Sequence, residues 1–162
     1  MSGFRPAPGY DADTLQAELA CYRALLDVLY REQDALRLAD ADALPALAAA
    51  KRREVDALRG FAVARARALA AAGQAVTRRS AEAWLVDHGA DAGTVTAAWD
   101  ALEALVAEAR RINTLNGVLI DAQQSYCSRA LAALSGAAGH PAVYGADGRP
   151  RFGIGSRPLA EI

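Results

Sequence analysis

The sequence is poor in the residues that chemistry most often uses. Of 162 residues, two are histidine, two are cysteine and one is methionine, and aromatics make up only 6%. Two cysteines are too few for a thiolate cage or a disulfide framework. Cys21 and Cys127 each lie in a helical pattern and read as small packing residues. His88 and His140 have no Cys, His or carboxylate at ligand spacing, so no metal is expected. His88, next to Gly89, reads as a helix-end histidine facing the terminal carbonyls. Glu103 and Glu108 share no Glu-x-x-His arrangement, and "GADG" (145–148) precedes no helix whose amides could cradle phosphate. No enzyme and no cofactor are expected.

Other absences bear on class. Scarce β-branched and aromatic residues leave too little material to fill a sheet. With 18 basic and 19 acidic residues, a net charge of −1 gives no reason to expect nucleic acid or anionic lipid as main partner. The clusters Lys51-Arg52-Arg53, Arg78-Arg79 and Arg110-Arg111 read as solvated helix faces. No run of 18 uncharged apolar residues occurs, and "MSGFRPAPGYDADT" is no basic-then-apolar leader. The expected location is the cytoplasm, without membrane insertion.

What remains is helix-building material: Ala, Leu, Arg, Asp and Glu. The pattern predicts an all-α fold, an elongated antiparallel helical hairpin plus a long C-terminal helix, with a short extra helix and a disordered tail. Residues 1–12 carry Gly3, Pro6, Pro8 and Gly9 and should be disordered. A first helix, about 14–39, is capped by Asp13 or Thr14 and carries the stripe Leu15, Leu19, Tyr22, Leu26, Leu29, Leu36, interrupted only by Gln33. The break at Asp40–Pro45 starts a second helix, about 43–72, with Asp42 as its cap. Its stripe is Leu44, Leu47, Val55, Leu58, Ala62, Leu69, with Lys51 and Arg65 at the remaining positions. A connection this short makes the two antiparallel. Ser80 caps a short helix, about 80–88, and a last helix begins at Thr94 or Thr96 and covers about 95–134. At about 60 Å it exceeds either partner by about 15 to 20 Å. Residues 135–162, rich in Gly and Pro, form a flexible tail.

The overhang draws attention to "RINTLNGVLI" (111–120). Two asparagines and a glycine are weak helix formers, yet they sit inside the long helix. Asn113 and Asn116 share a face, on the seam side, and Gly117 beside them would let another backbone approach. Two readings stay open: a register-setting polar layer (Asn113, Asn116, Gly117), or part of a groove for a partner helix. The groove would comprise Leu115, Asn116, Val118, Leu119, Ile120, Gln123, Tyr126, Leu131 and Leu134. Self-association through the same residues is the competing explanation.

At these residues the chain resembles the FlgN-like flagellar export chaperones. The resemblance rests on "LADADALPALAAAKRREVDAL" at the hairpin turn, "RRINTLNGVLIDAQQSYCSRALAAL" with its Asn-x-x-Asn-Gly element, and "VYGADGRPR" about 25 residues later. It implies a cytoplasmic type III export chaperone that binds the C-terminal helical segments of hook-associated (hook-filament junction) proteins of the FlgK and FlgL type. Such a chaperone stops premature assembly and hands its cargo to the export gate's cytoplasmic domain. Asn113, Asn116 and Gly117 match the family's helix motif, and Tyr144 its tail aromatic, associated with gate docking. A homodimer in the cargo-free state, and a self-associating coiled-coil scaffold or adaptor, remain the alternatives.

Overall fold

Helix α1 (Ala12–Leu38) starts where Asp11 accepts the amide of Thr14 at 2.8 Å and its hydroxyl at 2.6 Å. Those bonds hold the Asp11 carboxyl below its usual range. The helix stops at Ala39, the one non-glycine residue with positive φ (55°) in this computed structural model, which describes residues 9–138. There the amides of Ala39 and Asp40 turn back onto the Leu36 and Ala35 carbonyls. Helix α2 (Leu44–Ala71) follows with Pro45 in its first turn and no side-chain cap, while Asp40 accepts the Ala43 amide at 3.2 Å. It ends before Gly73, whose φ of 69° suits the left-handed turn that lets the Gln74 amide reach the Leu69 carbonyl. Helix α3 (Arg78–Asp87) is capped by Thr77, and α4 (Ala92–Ala138) opens with Asp91 accepting the Thr94 amide at 2.8 Å. No strand occurs among the described residues.

Buried ion pairs fix the register of the hairpin. Glu18 of α1 meets Arg65 of α2 at 2.6 Å, and Glu32 meets Lys51 at 2.9 Å. The two pairs lie about four turns apart on each helix and run in opposite order, which makes α1 and α2 antiparallel. α4 runs parallel to α1. Leu15 and Leu19 share a core cluster with Val95, Trp99 and Leu102, whereas Leu25, Leu26 and Leu29 share the next with Ala109 and Ile112. At the exposed edge Tyr30 donates to Glu108, whose carboxyl is drawn down to about 2, chiefly by the Arg111 guanidinium and then by that phenol.

The N-terminal expectation needs correcting. Tyr10 is 1% exposed in the first core cluster, and its carbonyl accepts the Trp84 indole N–H at 2.9 Å. Order therefore begins before residue 12, because the ring joins a core cluster to which all four helices contribute; residues 1–8 lie outside the described residues. Burial pushes the Tyr10 phenol up to about 12. His88 donates from Nδ1 to the end of its own helix, 2.7 Å from the Trp84 carbonyl, and its ring stacks on Trp84 at 3.9 Å.

The chain divides after Asp121 into two units. The first contains the packed parts of all four helices. In the second, residues 122–138 are described and continue α4. The expected tail beyond them, with Tyr144, lies outside the described residues.

Candidate docking surfaces

Asn116 sits at the centre of a polar layer to which each long helix contributes one side chain. It has no exposed surface, and its amide nitrogen donates to the Leu29 carbonyl and to Glu32 Oε2, both at 2.9 Å. Lys51 Nζ donates to the same carboxylate, at 2.9 and 3.2 Å. A carboxylate buried among Leu side chains is tolerable only when its lone pairs are met, and here two donors from two helices meet them. The layer thus penalises any sliding of α4 on α1 that would strip the carboxylate of its amide.

This geometry separates residues that the sequence grouped together. Asn116, expected both in the groove and in the polar layer, is inaccessible to any partner and leaves the groove. Asn113, one turn earlier, is exposed, so the two amides do not both lie in the seam. The reason is angular: residues three apart are offset by about 60° around a helix, enough for a narrow seam to take one and leave the other. Gly117 packs against nothing, since a Cβ there would meet no atom within 4 Å. Among the described residues it permits no close backbone approach. Gly117→Ala should therefore raise the melting temperature by about 2–4 °C, from a helix-interior gain of up to about 1 kcal/mol, in a circular dichroism melt.

The remaining groove residues fall into two sets. In the first unit Leu115 and Val118 are exposed, while Leu119 and Ile120 are half-buried. In the second, Tyr126, Leu131 and Leu134 are exposed, at 70%, 64% and 68%, and Gln123 is half-buried. Large apolar side chains recurring at this exposure along one helix are unusual on a surface with no partner.

Sequence reasoning did not find a concave surface that lies in the first unit. A cleft of about 490 Å³ opens between α2 and α4 over α1, with Leu25, Leu29 and Leu58 at its base and Arg59 and Arg110 among its lining residues. Its walls come from three helices, so no single periodic stripe announces it.

Among the described residues no cluster of His, Cys, Asp or Glu could hold a metal ion, and no helix is long and apolar enough to cross a membrane. Burial and Glu54 push the Cys21 thiol up to about 11, so it is not an activated nucleophile.

The structure is a helical support with a buried polar layer at its seam and exposed apolar side chains on its longest helix. The model of the FlgN protein family matches residues 12–151, and the chain belongs to that family, the flagellar export chaperones for FlgK and FlgL. It is a chaperone family and not an enzyme family. No curated protein and no solved structure matches the chain.

Proposed function

We propose that this chain is a cytoplasmic export chaperone that holds the C-terminal helical segments of hook-filament junction proteins of the FlgK and FlgL type. It keeps them from assembling early and passes them to the export gate. Cargo lies against the apolar side chains of α4 from Leu115 to Leu134. Support for the reading comes chiefly from one observation: Leu115, Val118, Tyr126, Leu131 and Leu134 are all exposed. An amphipathic cargo helix would bury such residues by the helix-in-groove mode. Leu119, Ile120 and Gln123 flank them and complete the contact, and Tyr144 supplies a separate docking element for the gate.

Leu131→Asp together with Leu134→Asp provides the test, because both side chains are exposed and the fold does not depend on them. Co-purification with the junction protein's C-terminal fragment should fall at least about ten-fold, equivalent to about 1.4 kcal/mol, while helicity is unchanged. Undiminished capture by the doubly substituted chain removes this face from the proposal. Tyr144→Ala should leave that capture intact and weaken binding to the gate's cytoplasmic domain; a parallel loss of both would mean that Tyr144 is no independent element. A tight dimer in sedimentation that ignores the junction protein would instead favour the scaffold.

A further inference from the structure

We infer that the cleft between α2 and α4 is a second docking site, for an amphipathic helical segment of a partner protein whose apolar stripe is flanked by carboxylates. The site lies wholly in the first unit and does not depend on the α4 face from Leu115 to Leu134.

The shape suits a helix. Along α2 the lining runs from Lys51 to Ala62, about 16 Å at 1.5 Å per residue, room for about three turns. At about 490 Å³ the cleft can take a few large apolar side chains, and Val55 of α2 and Val106 of α4 add apolar lining to that of the α1 leucines.

Charge identifies the occupant. Among the described residues Arg59 and Arg110 line the cleft and no carboxylate does, the third lining cation, Lys51, being taken by Glu32, in a chain whose net charge is −1. The register places the two arginines opposite each other. The antiparallel pairing of Glu18 with Arg65 and Glu32 with Lys51 sets Arg59 level with Ala24 of α1. The parallel pairing of Asn116 with Leu29 and Glu32 sets Arg110 level with residues 23–26. One guanidinium thus stands on each lip at the same height. Among the described residues Arg59 pairs only with Asp56 on its own helix, an exposed pair at 3.0 Å of a kind worth little in water. Arg110 makes no ion pair with the described residues, and its guanidinium is free to meet a carboxylate bidentately.

The test uses the full chain and two fluorescent amphipathic peptides of about fourteen residues. Both carry leucine on one face, flanked by glutamate in one and by lysine in the other. The acidic peptide should bind at least about ten-fold more tightly. Arg59→Glu with Arg110→Glu should reverse the preference, and the milder Arg59→Gln with Arg110→Gln should abolish it, both checked for retained helicity. Leu131→Asp with Leu134→Asp should change neither affinity, which separates this site from the cargo face. Equal affinity for the two peptides, or a preference unmoved by either arginine variant, overturns the inference. So does a ten-fold tightening of the acidic peptide when residues 139–162 are removed, which would make the chain's own tail the occupant. A dimer that the acidic peptide splits into monomers in sedimentation overturns it too, by making a second copy the occupant.

Discussion

Arg65→Ala is expected to lower the melting temperature by about 6 to 20 °C. The substitution leaves Glu18, 3% exposed, as a buried carboxylate without its partner at 2.6 Å, a change that costs about 3–5 kcal/mol. In a chain of this length each kcal/mol moves the midpoint by about 2–4 °C. The guanidinium also lies over two rings, 5.1 Å from the centre of Trp99 and 5.5 Å from that of Tyr10. It therefore ties the segment before α1, α2 and α4 to one cation. Arg65→Lys separates the contributions. Lysine keeps a charge for Glu18 but loses the flat face that stacks on Trp99, so the midpoint should fall between the other two. A circular dichroism melt decides: a loss below about 2 °C for Arg65→Ala would mean that Glu18 finds water or another donor when Arg65 is gone.

The second large effect belongs to the Asn116 layer. Lys51→Met leaves the Glu32 carboxylate, whose side chain is 8% exposed, with the Asn116 amide as its remaining partner in the layer. The expected loss is about 2–4 kcal/mol, again because a buried charge is stripped of its counter-ion. Replacing the whole layer, Glu32→Leu with Lys51→Met and Asn116→Leu, should return the melting temperature to near that of the natural chain, since no group is then left buried and unpaired. What the triple variant should lose is uniqueness. With leucine on every side nothing penalises a slipped α4, and amide exchange in residues 109–121 should quicken although the midpoint is restored. Slow exchange in a stable triple variant would make packing alone sufficient to set the register.

The helical class and the hairpin were legible because apolar residues recur at three and four and because Pro45 and Gly73 punctuate the run. The stripe of α1 is the buried face found, with Leu15, Leu19, Leu29 and Leu36 at 1–2% exposure. Even the breaks in the α2 stripe were informative: Lys51 and Arg65 are the cations of the two buried pairs. Their partners were not legible, because Glu18 and Glu32 look from sequence like any acid beside a stripe. The helix starts show a similar limit. Asp11, Thr77 and Asp91 cap through amides three residues on, at Thr14, Ser80 and Thr94. Each of those recipients is itself a good capping residue, so composition favoured positions inside the helix over the true caps. The cleft was hidden for a different reason, as its lips belong to helices about fifty residues apart whose register only tertiary contacts define.

The order of pairing along the chain has a consequence for synthesis. Contacts between α1 and α2 span 19 and 47 residues, whereas those of Asn116 with α1 span 84 and 87. As the nascent polypeptide leaves the ribosome, the first two helices can zip together before α4 has been translated. α4 then docks onto a finished template, and the bare leucines of its C-terminal turns emerge after the rest of that helix, which shortens the time in which they are exposed without a registered scaffold behind them.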